Sequence, residues 1–516
     1  MTFNPLKEKG ITLEKQLRSW HDIVKRPFDK YDVDCYSRTR QILMNVIEIE
    51  AWGFKHHFAR SCQDYDDRNL LALMRRIEDM QQTTVNWMTP ACQTVLETTL
   101  GYEQVAVDLT AWLAQNEPDD YVKETFNFGL LEDFDHLYRY SQWAYMIDGI
   151  NPDHILQGQT DVVISRPTQY HHNDNGLRLR KAYDKNIASP QTKVNIYTLM
   201  SAEQQTHNFY AEHGMMYAND DLRKTYGEIC DVEEEHVTMY ESLIDPCETP
   251  YEKLLLHEFT EVCTYYNCYV DEVNDKLKPI WEEFLAFELG HLQIAAELLK
   301  KHEKRDPEEI IGNEIILPCH FESQKEYVTN ILENEIDKRL DGKLDMGYAR
   351  VGELSDDWAS YKAQNYMNGK GAPSEKTIHL IKTTLGTDIV SIHTPMSECM
   401  TLSRDFLSPR AAFGGVLNGK PAEFVVKSNF LGFGEQKVLG NIDKKNIEFV
   451  CKNKSVNGVY DNKEFSLHVD KSWFGGVSSI SGTIDGKEVA LNLKNSELPK
   501  DEDIQNLASI FLLFNG

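Results

Sequence analysis

Apolar positions in the N-terminal part of this chain recur after a fixed interval. The interval is 155 residues, which is the distance from Phe54 to Phe209. Helix-start residues repeat with it, because Asp34 corresponds to Ser189, which stands directly before Pro190. The other pairs at this interval are Cys92 with Cys247, Leu100 with Leu255, Val107 with Val262, Leu130 with Leu285, and Leu137 with Leu292. The recurrence predicts an internal duplication with four helices in each copy.

After about Leu402 the pattern changes to short runs of β-branched and aromatic residues, which are typical of strands. The runs cover residues 423–427, 446–451, 465–469 and 489–493. Tight hairpin turns are predicted at Asn418-Gly419, Asn457-Gly458 and Asp485-Gly486. The last stretch, 501–514, has the pattern of one amphipathic helix. The C-terminal part is therefore predicted to be an antiparallel β domain with a terminal helix.

These patterns predict a mainly α protein with a C-terminal β domain. The two copies form two tandem four-helix bundles, and the remainder adds a small antiparallel β domain. Proline residues separate helices within each copy, at Pro90 and Pro118 in the first and at Pro246, Pro250 and Pro279 in the second. The predicted segments are a lead-in (1–33), the first bundle (34–150), a polar connection (151–188), the second bundle (189–303), a mixed connection (304–400) with a helix over 323–340, and the β domain (401–516).

Composition narrows the functional classes. With 41% apolar and 10% aromatic residues, the 516-residue chain can bury several cores. A net charge of −28 argues against nucleic acid as a partner, because phosphates need basic residues. The N-terminus has no apolar signal core, and no apolar run near the C-terminus is long enough to cross a bilayer. We therefore expect a soluble, cytoplasmic protein that binds neither nucleic acid nor membrane; the oligomeric state is left open.

The second copy carries metal-binding side chains in a regular order. The order is Glu203, then Glu233 and His236, then Glu258, then Glu288 and His291. Residues three apart share a helix face, so each Glu-x-x-His pair can reach one centre. Carboxylates bridge cations, and imidazole suits iron, manganese or zinc. Four antiparallel helices that point these residues inward would hold two metal ions.

The first copy repeats this order in a weaker form. Its residues are Glu48, Glu78, Gln81, Glu103, Asp133 and His136. Gln81 replaces a histidine, and a neutral amide is a poorer ligand for a transition metal. Asp133 replaces a glutamate and reaches less far. We expect the first bundle to hold one metal ion or none, and to be retained as a structural element through its packing.

The ligand order of the second copy resembles the ferritin-like di-iron carboxylate family. The resemblance implies that Glu203 and His236 hold one iron, that Glu258 and His291 hold the other, and that Glu233 and Glu288 bridge. Manganese can take the same places. Glu261 shares a face with Glu258, and an extra glutamate there is similar to the rubrerythrin branch, where it supplies a further ligand; a surface glutamate is the alternative.

The resemblance implies an oxidoreductase in which these seven residues are catalytic and act on peroxide or dioxygen. Rubrerythrins usually carry a four-cysteine iron centre, and the ten cysteines here include no Cys-x-x-Cys pair. Electrons must then come from an external donor protein. Four alternatives stay open: a ferroxidase or iron-handling protein, a manganese catalase-like enzyme, a di-iron oxygenase acting on an unidentified small organic substrate, and a non-catalytic scaffold.

Four further residues have more ordinary interpretations. Tyr210 and Tyr265 each follow a proposed ligand by seven residues, so core packing and electron transfer are both possible for them. His171 and its neighbour His172 lack acidic partners at metal spacing along the sequence. We interpret this histidine pair as having no part in a site.

Overall fold

The computed structural model describes most of the chain: residues 3–28, 30, 33–91, 93–163, 165–343, 347–377, 379, 399–404, 410–417, 420–427, 436–442, 445–452, 455–471 and 477–492. The chain divides into two compact units. The helical unit comprises Met1–Thr89, Val95–Trp143 and Ile155–Ser391. The second unit comprises Pro90–Thr94, Ala144–His154 and Ile392–Gly516, and it contains the large β-sheet.

Eight long helices form the framework of the helical unit. They are α1 (Cys35–Ser61), α2 (Tyr65–Asn86), α3 (Val95–Asn116), α4 (Asp120–Trp143), α5 (Pro190–His213), α6 (Asp220–Glu241), α7 (Pro250–Asp271) and α8 (Lys278–Glu303). Shorter helices cover Leu13–Gln16, Trp20–Ile23, Asp153–Leu156, Asn175–Arg178, Glu308–Ile311, Lys325–Glu335 and Ala359–Met367. Within the described residues, no helix combines the length and apolar character that a membrane span requires.

Local sequence signals set where the long helices begin. The Asp34 carboxylate accepts hydrogen bonds from the first backbone amides of α1. Ser189 caps α5 in the same way, and Pro190 fits the first turn because its missing N–H has no helical partner. Thr249 and Glu252 cap α7 reciprocally. The predicted helix starts at Asp34 and Ser189 are confirmed.

The long helices pack as consecutive pairs, but the pairs close against each other out of chain order. α3 contacts α5 and α4 contacts α6, so the pairs α3–α4 and α5–α6 form a four-helix bundle, called here the inner bundle. α1 contacts α7 and α2 contacts α8, so the first and last pairs form the outer bundle. Contacts of α1 with α3 and α5, and of α5 with α7, join the two bundles.

This arrangement corrects the predicted tandem order of a first bundle over 34–150 and a second over 189–303. Each bundle instead takes two helices from each copy of the repeat. The physical reason lies in the duplication itself. Both copies present equivalent helix faces. A helix pair can therefore pack against the other pair of its own copy or against a pair of the other copy with similar contacts, and the sequence pattern does not distinguish these two arrangements.

The N-terminal segment packs on α8 of the outer bundle. The Ile11 amide donates a hydrogen bond to a carbonyl of α8 over 2.8 Å. Gly10 and Gly290 make this approach possible, because a Cβ on Gly290 would lie 2.1 Å from the Ile11 carbonyl oxygen. Gln16 then reaches the bundle interior, with its Oε1 2.8 Å from His291 Nε2. The predicted lead-in is therefore part of the outer bundle.

Between the long helices and the sheet, the mixed connection is only partly as predicted. The helix expected over 323–340 is confirmed for Lys325–Glu335. Its last residues instead form β1 (Lys338–Leu340), which pairs antiparallel with β2 (Tyr348–Arg350). Trp358 donates an indole hydrogen bond to the Leu340 carbonyl and fixes this small hairpin.

The second unit contains an antiparallel sheet whose described strands follow in chain order, each paired with the next. The strands are β3 (Cys399–Arg404), β4 (Arg410–Leu417), β5 (Lys420–Lys427), β6 (Gln436–Ile442), β7 (Lys445–Lys452), β8 (Ser455–Tyr460), β9 (Lys463–Lys471), β10 (Val477–Ile484) and β11 (Lys487–Asn492). The predicted β runs fall on β5, β7, β9 and β11. The coarse prediction of a mainly helical chain with a C-terminal antiparallel sheet is confirmed.

The predicted hairpin turns have different outcomes. Asp485 and Gly486 form the β10–β11 turn with positive φ angles of 49° and 74°. The turn predicted at Asn457-Gly458 is wrong, because both residues lie inside β8. Gly458 is needed there for space, since a Cβ would lie 2.2 Å from the Glu448 carbonyl oxygen of β7. Asn418-Gly419 and the terminal helix predicted over 501–514 lie outside the described residues.

The close approach at Gly290 yields a stability prediction. Gly290→Ala should lower the free energy of unfolding by about 1–3 kcal/mol, because the added methyl group meets the backbone of the N-terminal segment. Gly227→Ala is the matched control on α6, where a Cβ meets nothing within 4 Å. It should raise stability by about 0.5–1 kcal/mol through helix propensity. Denaturant titration followed by circular dichroism distinguishes them, and equal effects would contradict this packing.

Candidate metal centre

Six side chains that could bind metal ions converge inside the inner bundle, and all four helices contribute. They are Glu103 on α3, Asp133 and His136 on α4, Glu203 on α5, and Glu233 and His236 on α6. None of these side chains belongs to a residue more than 1% exposed. The six positions follow the ligand order recognised in the sequence, but three come from each copy of the repeat. This group is called the inner cluster.

Glu233 lies at the middle of the inner cluster. One of its carboxylate oxygens is 3.0 Å from His136 Nδ1, and the other is 3.2 Å from His236 Nδ1. Glu233 also belongs to two groups of residues whose ligand atoms lie within 4.8 Å of one another. One group adds Asp133, Glu203 and His236, and the other adds Glu103 and His136. A carboxylate shared in this way has the position of a bridge between two cations.

The carboxylates of the inner cluster carry more negative charge than the protein offsets. Both oxygens of Asp133 and of Glu203 are buried without a hydrogen-bond partner in the described part of the chain. Burial, followed by the charge of Glu233, raises the pKa of Glu203 to about 8. Burial and Glu203 likewise raise the pKa of Asp133 well above its usual range. Cations bound here would offset this cost, so the donor set fits a pair of metal ions.

Glu233 itself behaves differently from its neighbours. Burial acts to raise the pKa of its carboxyl group, but His136 and His236 together lower that pKa below its usual value. Glu233 is therefore held ionised by the imidazoles on either side. An ionised carboxylate with both oxygens aimed at ligand nitrogens is suited to bind two metal ions at once.

A second layer of buried charges holds the His236 ring in place. Its Nε2 lies 2.8 Å from Glu132, which also accepts hydrogen bonds from Arg166 over 2.7 Å and from Arg178 over 2.8 Å. Burial acts to raise the pKa of Glu132, but Arg178, followed by His171, lowers it well below its usual value. Because an ionised carboxylate only accepts, Nε2 carries a proton towards Glu132. Burial acts to lower the pKa of His236, but Glu132, Glu203 and Glu233 raise it well above its usual value. A bound cation would replace the proton on Nδ1, and the nitrogen that faces the cluster would then be free to act as a ligand.

This second layer was not foreseen from the sequence. Arg166 and Arg178 belong to the connection over 151–188, which was predicted only as a polar link. Both are nevertheless fully buried beside Glu132. The available signal was Glu132 itself, an extra acidic residue directly before Asp133, but its arginine partners are more than 30 residues away.

The two neighbouring histidines of the connection also lie beside the inner bundle. The His171 ring centroid is 5.6 Å from that of His136, and its Nε2 donates to the Arg166 carbonyl over 2.8 Å. His172 lies 3.6 Å from Glu228 and 3.6 Å from Asp231, both on α6. The pair lacks acidic partners at metal spacing along the sequence, but the structure supplies them to His172 from another element, so the interpretation of this residue as ordinary is corrected.

A second group of ligand-type side chains lies in the outer bundle and is called the outer cluster. Its members are Glu48 on α1, Glu78 and Gln81 on α2, Glu258 and Glu261 on α7, and Glu288 and His291 on α8. The Gln81 amide donates to Glu288 over 2.7 Å and to Glu48 over 3.1 Å. His291 Nδ1 lies 2.9 Å from Glu288. All seven residues are fully buried.

Lys55 of α1 also lies in the outer cluster, and the sequence analysis did not identify it. Its Nζ is 2.5 Å from Glu78, 2.7 Å from Glu258 and 3.7 Å from Glu261. Burial acts to lower the pKa of Lys55, but Glu258 and then Glu78 raise it above its usual value. The available signal was its position two helical turns after Glu48, on the same face.

The seven-residue site predicted for the second copy is therefore divided. Glu203, Glu233 and His236 lie in the inner cluster, where residues of the first copy complete the set. The other four predicted members lie in the outer cluster: Glu258, Glu261, Glu288 and His291. Glu261 does not belong to the inner cluster, where its counterpart in the repeat is Ala106. The exchange of helix pairs between copies is the reason.

Two tyrosines considered from the sequence do contact ligand positions. Tyr210 of α5 donates a hydrogen bond to Glu103 in the inner cluster. Tyr265 of α7 donates to Glu48 in the outer cluster. Near the inner cluster, the hydroxyl groups of Tyr140 and Tyr240 are buried without a hydrogen-bond partner in the described residues. Their ring centroids lie 5.1 Å from Tyr210 and 6.2 Å from His236, respectively.

The second layer yields a testable prediction. Arg178→Met should cost about 3–5 kcal/mol in the free energy of unfolding, because it leaves Glu132 and Glu235 buried with one charge partner fewer. Arg350→Met is the control. Its ion pair with Asp337 is half-exposed, so the free energy of unfolding should hardly change. Denaturant titration measures both, and a similarly small effect of Arg178→Met would contradict the second layer.

No family model, curated protein or solved structure matches this chain. The resemblance to ferritin-like carboxylate proteins therefore depends on this chain's own ligand order. The positions of Glu233, His136 and His236 add geometry to that order. The functional interpretation accordingly begins from the inner cluster.

Proposed function

We propose that this protein is a di-metal oxidoreductase whose centre lies in the inner bundle and acts on dioxygen or peroxide. The observation that carries the proposal is the shared position of Glu233 between His136 and His236. Glu203 and His236 would hold one ion, and Glu103 and His136 the other. Glu233 and Asp133 would lie between them. Four carboxylates and two imidazoles form a donor set that suits iron or manganese.

The chemistry supplied by two bound ions of this kind is the polarisation of an O–O bond and electron transfer to it. The protein's own residues then have separate tasks. Glu132 fixes the His236 ring through its hydrogen bond with Nε2, so that Nδ1 is directed at the centre. Tyr210 holds a proton on its hydroxyl oxygen and donates it in a hydrogen bond to Glu103. Both contacts fix ligand side chains before any substrate arrives.

Burial supports a small substrate. Every residue of the inner cluster is at most 1% exposed, so only small molecules fit between these side chains as the helices are packed. Dioxygen and peroxide meet this condition, whereas an organic substrate would require the helices to separate. The proposal therefore favours dioxygen or peroxide over oxygenation of an organic molecule, and it retains an external protein as the source of electrons.

The position of Glu261 changes one part of the sequence-based hypothesis. An extra glutamate beside the complete ligand set supported a rubrerythrin-like peroxide reductase. Glu261 lies in the outer cluster, 3.7 Å from Lys55, and Ala106 is its counterpart in the inner bundle. The inner cluster thus supports the broader class of di-metal oxidoreductase, and the manganese catalase-like reaction stays within it.

A second candidate is iron oxidation without another substrate. His172, Asp231 and Glu235 offer ligand atoms within 4.8 Å of one another, and the Asp231 side chain is half-exposed. Glu235 directly precedes the ligand His236 on α6. A cation held at this group would have one ligand open to solvent. Uptake of ferrous iron beyond about two ions per chain would favour this candidate.

Metal content tests the location of the centre. The wild-type protein should hold about two transition-metal ions per chain, and His136→Ala should lose most of them because it removes a donor from the complete set. His291→Ala, in the outer cluster, is the matched control and should retain them. Elemental analysis after purification gives the result. A wild-type protein without metal, or equal losses in both variants, would overturn the proposal.

The reaction class is tested on protein that has been shown to hold metal. Reduced protein mixed with peroxide or dioxygen should be oxidised rapidly, as followed by absorbance, and Glu233→Ala should remove this response. Release of dioxygen from peroxide without any reductant would assign the catalase-like reaction instead. Failure to react with either oxidant while the metal stays bound would count against an oxidoreductase.

A further inference from the structure

The outer cluster has an ammonium group and an amide, those of Lys55 and Gln81, where the inner cluster has the phenol of Tyr210 and the imidazole of His236. Glu78 and Glu258 correspond, at the repeat interval of 155 residues, to Glu233 and Glu103. In the outer cluster these two carboxylates are joined by the Lys55 ammonium group at 2.5 and 2.7 Å. The metal position proposed beside Glu103 is therefore matched by a side-chain cation.

The other metal position is matched in a different way. Glu48 and Glu288 correspond to Glu203 and Asp133 of the inner cluster. The Gln81 amide nitrogen joins them, at 3.1 Å from Glu48 and 2.7 Å from Glu288. Gln81 itself stands where the inner cluster has His236. An imidazole that could bind metal is thus replaced by an amide that donates hydrogen bonds to the equivalent carboxylates.

We propose that Lys55 and Gln81 take the places of two metal ions in the outer cluster, so that the outer bundle folds without metal. The comparison with the inner bundle rests on the proposed function, whereas the contacts of Lys55 and Gln81 do not. An ammonium group offers three donors and one positive charge, and an amide offers two donors without charge. Together they bind four of the five outer carboxylates.

The counterpart of Lys55 explains the difference between the bundles. In the inner bundle this position is Tyr210, whose hydroxyl donates one hydrogen bond to Glu103 but brings no charge. The inner carboxylates therefore still require cations from solution, whereas Lys55 supplies one from the chain. Glu78, Glu258 and His291 offer ligand atoms within 4.8 Å of one another, but the Lys55 ammonium group already contacts both of these carboxylates. A pair of metal ions therefore does not fit the outer cluster while Lys55 lies there.

The two bundles would then have different roles. The inner bundle would change its metal content and redox state, while the outer bundle would keep its packing through both. Contacts of α1 with α3 and α5 connect this constant half to the reactive half. Removing metal with a chelator should accordingly loosen the inner bundle and leave the outer one folded.

The experiment converts the outer cluster back into a metal site. Lys55→Met/Gln81→His removes the ammonium group and restores an imidazole, while Met keeps a similar side-chain length. Produced with ferrous iron, this variant should hold about two more ions per chain than the wild type. Its melting temperature should also become more sensitive to a chelator. Lys30→Met, which removes a buried lysine paired with Glu97, is the control and should gain no metal.

A second variant tests the wild-type cluster directly. Glu258→Gln/Glu288→Gln should leave the metal content unchanged, because these carboxylates bind Lys55, Gln81 and His291 rather than metal. Loss of metal in this variant would overturn the inference, even if Lys55→Met/Gln81→His does not fold. A folded Lys55→Met/Gln81→His protein that gains no metal would overturn it as well.

The same measurements separate this inference from the proposed function. If the wild type holds no metal but Lys55→Met/Gln81→His gains about two ions, the proposed function fails and the inference stands. If the wild type holds metal that is lost in Glu258→Gln/Glu288→Gln and kept in His136→Ala, both fail. Metal lost in His136→Ala alone, together with a gain in Lys55→Met/Gln81→His, supports both.

Discussion

Carboxylates removed from water need positive charge or protons close by, and both bundles are arranged around this constraint. In the outer bundle, Lys55 provides the charge and contacts Glu78 and Glu258 directly. In the inner bundle, the imidazoles of His136 and His236 face Glu233 from either side. Asp133 and Glu203 lie farther from an imidazole, at 3.6 and 3.7 Å from His236 Nδ1, and Glu103 accepts a hydrogen bond from the uncharged Tyr210 hydroxyl. The two bundles therefore balance their buried carboxylates with different groups. This difference distinguishes a structural core from a candidate reactive centre.

Duplication followed by exchange of helix pairs explains how the two solutions coexist in one chain. Each cluster draws on both copies of the repeat, and equivalent positions of the two copies face different clusters. A substitution in one copy therefore changes one cluster and leaves its counterpart in the other cluster unaltered. Lys55 faces the outer cluster and its counterpart Tyr210 faces the inner one, so the two clusters could diverge without altering the helix framework. Ala106 and Glu261 diverge in the same manner. The two bundles therefore share their helix packing because of the duplication, while their clusters differ in chemistry.

The segments outside the eight long helices complete the two clusters. Gln16 of the N-terminal segment holds His291 Nε2 in the outer bundle. Arg178 of the connection holds Glu132, which in turn holds His236 of the inner bundle. Neither segment has the repeat pattern, and both contribute fully buried polar groups. These additions differ between the bundles and orient the histidines in different ways.

The sequence alone determined what depends on local order. Caps such as Asp34 and Ser189, the three-residue spacing of Glu233 and His236, and the alternating runs of the β strands are all properties of neighbouring residues. Only the tertiary structure decided which helix pairs close together, because two copies with equivalent faces offer two closures of similar contacts. For the same reason it decided that Asp133 and His136 complete the inner cluster. It also decided that Lys55 lies among the outer carboxylates, since a lysine on a helix face pairs with whichever helix is packed opposite.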